Sequence, residues 1–257
     1  MDTILQTDGL TKEFLGFKAV SDVSLKIRRG SIHGLIGPNG AGKTTCFNLL
    51  TKFLPPTQGT IQFNGRDITR MKPAEVARLG LVRSFQISAV FPHLTVLENV
   101  RVALQRARGN SFDFWRSDAV LRQYDARARE LLDDVGLGNA GGLLAGQLPY
   151  GRKRALEIAT TLALDPVMLL LDEPTAGMAA EDVDRIVALV RRVAQGRTVL
   201  MVEHNLKVVE GLCDTITVLT RGRVLAEGDY GSVSRNPEVI AAYLGSDPTV
   251  SGGQAHG

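Results

Sequence analysis

Residues 37 to 45 read GPNGAGKTT, and they follow the apolar run IHGLI without a break. This is G-x-x-x-x-G-K-T set between a strand-like run and a helix expected from about Lys43. It constrains the fold more than any other stretch. A strand must end in a loop so tight that it needs glycine, and the next helix must start with unpaired N–H groups. Gly37, Gly40 and Gly42 let the backbone of Gly37, Pro38, Asn39, Gly40, Ala41 and Gly42 curl until its amides converge on phosphate oxygens. Lys43 is then expected to reach the β and γ phosphates. The Thr44 hydroxyl is expected to bind Mg²⁺, and Thr45 to lie near the α phosphate. A glycine-rich turn without a ligand is the alternative, and the full motif in context weighs against it.

The rest of the chain fits an α/β architecture. VSLKI and SIHGLIG predict two strands around a turn at Arg29-Gly30. TIQFNGRDI carries Asn64-Gly65, a strong hairpin signal. From Val96 to Val135 the sequence turns rich in Leu, Ala, Arg and Asp at helical spacing, which predicts a helical subdomain inserted between strands. Beyond Pro166 come a short apolar strand (VMLLLDEP), an amphipathic helix ending at Gly196, a second strand (TVLMVEH), and an edge hairpin turning at Arg221-Gly222. Strands alternating with helices imply a mostly parallel sheet covered on both faces. The tail from Ser246 is expected to be disordered.

Two acidic residues end the apolar strand VMLLL. Asp172, at the carboxyl end of a buried strand, suits a Mg²⁺ site. Glu173 beside it suits a general base acting on water. Capping of the following PTAGM turn is the alternative use of both. His204 ends the next strand, at the edge where parallel α/β sheets bind ligands, so a γ-phosphate contact is expected. His33 lies in an apolar strand and His256 in the tail, and neither is assigned a role.

Residues 148–154, LPYGRKR, pose a puzzle of sign. The apolar spacing of ALEIATTLALDP predicts a helix that stops near Asp165-Pro166 and whose first turn holds Gly151, Arg152, Lys153 and Arg154. A helix amino end is already partly positive and ordinarily attracts acids. A polyanion facing this turn would resolve the conflict. Lys153 and Arg154 are expected to point into water.

Composition narrows the partners. A net charge of +3 over 257 residues is too mild to indicate nucleic acid or a membrane surface. Cys46 and Cys213 offer neither a disulfide framework nor zinc spacing and are read as two buried thiols. No apolar run approaches the ~20 residues that span a bilayer, and the start lacks a signal-peptide pattern. Any membrane role must come through a partner.

The ordered set GPNGAGKTT, Gln86 in VRSFQ, LPYGR, LLLDEP and VEHN resembles the ATP-binding subunit of an ABC transporter, from about Leu5 to Gly245. The stretches VRSFQISAVFPHLTVLENVRVALQ, FDFWRSDAVLR, LPYGRKRALEIA and RNPEVIAAYLG resemble the branched-chain amino acid uptake group, to which urea and short-amide ATPases also belong. The resemblance implies a P-loop ABC ATPase fold: one domain over 4–245, a mostly parallel core sheet, an antiparallel β subdomain, and a helical subdomain over about 87–165. It implies ATP and Mg²⁺ as cofactors. Phe14 matches the aromatic that stacks on adenine, with Phe17 as a substitute and core packing as the other use of either. Gln86 matches the glutamine that touches Mg²⁺ and water and senses the permease. Leu148, Pro149, Tyr150, Gly151 and Arg152 match the signature that covers ATP held by the opposite subunit. Asp172, Glu173 and His204 match the Mg²⁺ aspartate, the catalytic base and the switch histidine.

Two departures stand out. The signature is commonly LSGGQ, or LSYGQ in this branch, whereas Pro149 stands for serine and Arg152 for glutamine here. Ala179 stands near a position that usually holds aspartate or asparagine. A weaker but functional trans site is expected. The implied partners are integral membrane permease subunits, a second ATPase protomer (identical or different) and, indirectly, a periplasmic or extracellular substrate-binding protein. The implied location is the cytoplasmic side of the inner membrane. Val90, Phe91, Pro92 and Leu94 beside Gln86 form the candidate docking surface, with core packing as the alternative. Lipid or lipopolysaccharide export is a second reading. A soluble ATPase acting on nucleic acid or ribosomes is a third, and it lacks the paired cassettes or strongly basic linker it would need.

Overall fold

A computed structural model of the chain describes residues 2–84, 90–107 and 122–244. Its residues fall into two compact units, one built from residues 1–76 and 198–257, the other from residues 77–197.

The first unit opens with β1 (Thr3–Phe14), β2 (Phe17–Val23), β3 (Lys26–Arg28), β4 (Ile32–Ile36), α1 (Lys43–Leu50), β5 (Gln58–Phe63) and β6 (Arg66–Asp67), and α2 (Pro73–Arg78) closes this stretch. β1 is the centre of an antiparallel sheet and pairs with β2, β3 and β5. The Asn64-Gly65 hairpin forms as expected. Both residues have left-handed φ, 51° and 75°, as a two-residue turn with primed geometry requires. The turn at Arg29-Gly30 also forms, but its two strands do not pair. β3 joins β1, whereas β4 joins a different sheet, so this turn is where the chain changes sheets.

The second unit holds β7 (Leu81–Ser84), α3 (Val96–Ala107), α4 (Asp125–Asp134), α5 (Tyr150–Leu162), β8 (Met168–Asp172) and α6 (Ala180–Val193). β7 and β8 run parallel, with Leu81 opposite Met168 and Ser84 opposite Leu171. All five residues of β8 are buried, which explains why it reads as an unbroken apolar run. α3 starts with a reciprocal cap. The Thr95 amide donates to the Glu98 carboxylate at 2.7 Å, and the Glu98 amide donates to the Thr95 hydroxyl at 3.2 Å. Leu131 and Leu132 of α4 and Leu156 and Ala159 of α5 are buried on faces with helical spacing. The unit thus contains the expected inserted helices together with two strands and α6. Residues 108–121, which include the aromatics Phe112, Phe114 and Trp115, lie outside the described residues.

The first unit then resumes with β9 (Thr198–Val202), α7 (Leu206–Leu212), β10 (Thr215–Thr220), β11 (Arg223–Gly228), α8 (Tyr230–Ser234) and α9 (Pro237–Leu244). β4 lies between β9 and β10, parallel to both, and β11 closes the edge antiparallel to β10. The turn at Arg221-Gly222 forms with left-handed φ at both residues, 47° and 76°. Ile36, Val209, Ile216, Val218, Val233 and Val239 form a core cluster here. Inside β4, His33 is buried and its Nε2 lies 2.8 Å from the Thr217 hydroxyl. That hydroxyl donates to Glu227 at 2.7 Å, so the imidazole N–H is the donor toward it. Burial lowers the His33 pKa from 6.5 to about 4 and keeps the ring neutral. Cys46 is buried and Cys213 is partly buried, and desolvation raises both thiols to about 12.

Candidate nucleotide site

In the first unit, β4 runs into the phosphate loop and α1 begins at Lys43. Gly37, Gly40 and Gly42 have φ of 150°, 76° and 99°. At two of them a side chain is also sterically barred. A Cβ on Gly37 would lie 2.1 Å from the Leu219 carbonyl oxygen, and one on Gly42 would lie 2.5 Å from that of Ala19. Ala41 is buried, and its carbonyl accepts from the Gly222 amide at 2.9 Å, which pins the loop to the edge hairpin. α1 has no acidic residue in its first turn and no side-chain cap, so its amino end keeps the positive field that attracts phosphate. Lys43 is only 8% exposed, and its Nζ donates to the carbonyls of Gly37 at 2.6 Å and Pro38 at 3.0 Å. Its charge is thus held at the loop mouth. Asn39 and Gly40 are exposed, as is Thr44, and Thr45 is half-buried.

Two further predicted residues belong to this unit. Phe14 and Phe17 sit opposite each other across the turn between β1 and β2, 42% and 69% exposed, so neither is core. The Lys12 ammonium lies 5.1 Å from the Phe14 ring centroid. His204 is exposed just after β9, in a turn built by a residue that the sequence reading missed. Glu203 is fully buried, and its carboxylate accepts from the amides of His204 at 3.1 Å and Asn205 at 3.3 Å. Asn205 then caps α7 by accepting from the Lys207 amide. The histidine ring is left outward while its backbone is fixed.

The second unit carries the acidic pair. Asp172 ends β8, is 3% exposed, and forms a buried ion pair with Arg83 of β7. Glu173 is partly buried, with φ at 46°. For a non-glycine residue a left-handed φ costs about 1–3 kcal/mol. No group of three or more His, Cys, Asp and Glu side chains gathers among the described residues. Mg²⁺ is commonly held by one or two carboxylates together with water and phosphate oxygens. The acceptor-only carboxylate of Asp172 and the exposed hydroxyl of Thr44 are the donor types it takes. Gln86 lies outside the described residues.

Residues 148–152 lead into and open α5. Leu148 is buried core. Pro149 is the N-cap of α5 and supplies no side-chain cap. The Tyr150 hydroxyl donates to the Ala176 carbonyl at 3.2 Å, tying the helix start to the segment after Glu173. Gly151 lies under Asp182, where a Cβ would come within 3.0 Å of the carboxyl carbon. Within one protomer, this acid is therefore what faces the helix start. Arg152 is exposed.

Arg154 corrects the sequence expectation. It is buried rather than in water, and its guanidinium donates to Glu157 at 2.7 Å. Desolvation works against its charge, but the bond to Glu157 and the Tyr150 oxygen offset it and raise its pKa above the usual arginine value. The three cations thus part company: Arg152 faces out, Lys153 is intermediate, and Arg154 serves as an internal strut.

Of the candidate docking residues, Phe91 is 53% exposed, Pro92 is exposed, and Val90 and Leu94 are intermediate. Buried Asn99 holds this loop, accepting from the Phe91 amide at 2.7 Å and donating to the Thr95 carbonyl at 2.9 Å.

A glycine-lined phosphate loop at the end of a parallel strand defines a nucleotide-binding α/β protein. Comparison with known proteins agrees. The ABC transporter family model matches residues 20–176, and a model for branched-chain amino acid ATP-binding cassette transporters matches residues 223–249. The high-affinity branched-chain amino acid transport ATP-binding protein BraF of Pseudomonas aeruginosa is 39% identical, over 94% of this chain and 98% of its own. LivG of Escherichia coli, which carries the same description, is 38% identical over the same shares. Among solved structures, the ADP conformation of MJ1267, an ATP-binding cassette of an ABC transporter, aligns with a TM-score of 0.83 at 30% identity, over 95% of this chain and 100% of that one. A dimeric post-hydrolysis state of the cassette MJ0796 bound to ADP and Pi aligns at 0.73 and 26% identity, over 88% and 99%. The chain belongs to the ABC transporter family, among its ATP-binding subunits, and it is an ATPase.

Proposed function

We propose that the chain is the ATP-hydrolysing motor of an importer for branched-chain or closely related amino acids. The observation that carries this reading is the likeness, over 94% of the chain, to subunits named for that transport. The match of its last described segment to the branched-chain cassette model supports it. No helix among the described residues is long and apolar enough to cross a membrane. The motor sits peripherally at the cytoplasmic face, as an ATP-binding subunit of a membrane transporter, and docks on permease subunits through Phe91 and its neighbours together with Gln86. A separate substrate-binding protein delivers the amino acid to the permease, so no residue of this chain reads it. No nucleic acid takes part.

At the site, the phosphate loop from Gly37 to Thr45 holds the nucleotide phosphates, and Phe14 stacks on adenine. Thr44, Asp172 and Gln86 would hold Mg²⁺, which would supply positive charge against the β and γ phosphates. Glu173 takes a proton from the attacking water, and His204 contacts the γ phosphate. Leu148 to Arg152 of a second protomer close over the ATP, the backbone amides and Arg152 supplying the contacts. The dimeric cassette with ADP and Pi supports a two-protomer arrangement.

Uptake decides the matter. Cells lacking this chain should lose ATP-dependent accumulation of labelled leucine, and the wild-type chain should restore it while Lys43→Ala should not. Normal leucine uptake with a defect in lipid or lipopolysaccharide export would overturn the importer reading and favour export.

A further inference from the structure

We propose that Arg83 is the residue that positions Asp172 for the magnesium ion, holding one carboxylate oxygen in a charge-assisted hydrogen bond so that the other is presented to the metal. The proposal rests on the reading of Asp172 as a Mg²⁺ partner.

The pair follows from sheet geometry. β7 and β8 are parallel, and Arg83 stands opposite Leu170. Residues two apart on a strand share a face, so Asp172 and Arg83 leave the sheet on the same side as diagonal neighbours. The Arg83 guanidinium meets Asp172 Oδ2, with the two side chains 11% and 2% exposed. Arg83 is the charged exception in a strand whose other residues, Leu81, Val82 and Ser84, are all buried. A cation there is costly unless it is paired.

What the pairing does is specific. A buried charge is costly unless it is paired and hydrogen-bonded, and the ion pair with Arg83 gives the Asp172 carboxylate that partner. Guanidinium is the cation that stays charged in any such setting. One guanidinium N–H is aimed at Oδ2, and that directional contact restrains the rotation of the carboxyl group more than a rotatable lysine ammonium would. Carboxylates that serve metals are themselves hydrogen-bonded, and losing that partner typically weakens metal affinity about 10–100-fold.

The test uses the full chain with ADP and Mn²⁺ as the spectroscopic stand-in for Mg²⁺. Electron paramagnetic resonance reads metal bound to the nucleotide-loaded protein, and ADP affinity is measured separately in EDTA. Arg83→Gln should weaken Mn²⁺ binding about 10–100-fold and leave metal-free ADP affinity unchanged. Arg83→Lys keeps the charge without the directional guanidinium, should recover part of the loss, and serves alone if the glutamine variant fails to fold. Unchanged or tighter Mn²⁺ binding in either variant overturns the proposal, the tighter case meaning that Arg83 competes with the metal. An equal loss of metal-free ADP affinity also overturns it, because the role would then be structural. If Asp172→Asn binds Mn²⁺ as wild type does, the underlying reading of Asp172 falls, whatever Arg83 does.

Discussion

The phosphate loop and the signature segment both present a helix amino end, yet they are built to different standards. At α1 every feature serves the open end. Glycines stand where a side chain would collide, no acid occupies the first turn, and Lys43 is folded onto the loop carbonyls. At α5 the equivalent end is compromised. Its N-cap is Pro149, Asp182 crowds Gly151, and one of its three cations is turned inward. The N-cap of the neighbouring α6 is Ala179, also without a side-chain cap. α7 and α8, by contrast, are capped by Asn205 and Asp229. Of the three positions where this chain departs from the family pattern, 149, 152 and 179, the first and last are helix N-caps without a capping oxygen. The helix end at the phosphate loop is left open, and the helix end at the signature segment is crowded and uncapped.

The largest effect should come from the strut behind the signature. Arg154→Ala leaves the Glu157 carboxylate buried without its cation, and breaking such a pair costs about 3–5 kcal/mol. Urea unfolding should report that loss, with changes in hydrogen exchange centred on α5. Arg154→Met combined with Glu157→Gln should recover most of the loss. A loss confined to the first unit would break the contrast between the two helix starts.

Acid should weaken the other side of the comparison. The His33 ring lies in β4, directly before the phosphate loop, with a folded pKa of about 4 against 6.5 when unfolded. Between these values the unfolded chain binds a proton that the folded chain does not. Stability is therefore full above about pH 6.5 and falls as pH drops toward 4, by about 3 kcal/mol for a difference of about 2.5 pKa units. Denaturant midpoints measured from pH 7.5 to 4.5 should show this slope, and His33→Gln should flatten it. An unchanged slope in the variant would place the acid sensitivity elsewhere.

What was legible in the sequence was local. The phosphate loop and the hairpins at Asn64-Gly65 and Arg221-Gly222 declare themselves because their backbone angles restrict residue choice within a few positions. β8 declared itself because a strand buried on both faces must be apolar throughout. What escaped depended on distant partners. Arg154 looked solvated because nothing in RKR says which side of the helix is inside, and its partner Glu157 becomes visible only once that face is known. Asp182 over Gly151 and Arg83 on Asp172 join residues far apart in the chain. The separation of β3 from β4 into different sheets is likewise a pairing choice, which a turn signal cannot encode.

The smallest expected effect is the sharpest test of the comparison. Pro149→Ser returns both a hydroxyl and a backbone N–H to the start of α5, and a serine N-cap is worth about 1 kcal/mol relative to a residue without a capping group. Part of that gain is offset, since proline also restricts the unfolded chain, so thermal stability should rise only slightly. Association should respond more visibly. The hydroxyl adds one hydrogen bond toward phosphate at each closed site, about 1.5–3 kcal/mol when the acceptor is charged, or roughly 10–100-fold per site in dimer affinity. Light scattering with Mg-ATP on the Glu173→Gln chain, which traps nucleotide, compares the two signatures directly. A tighter dimer with serine means that α5 does face phosphate across protomers and that Pro149 weakens self-closure. Equal affinity means that Arg152 and the backbone amides already supply the contact. A monomer in both cases, with ATP bound, means that this chain closes its site only with a second ATPase whose signature is complete.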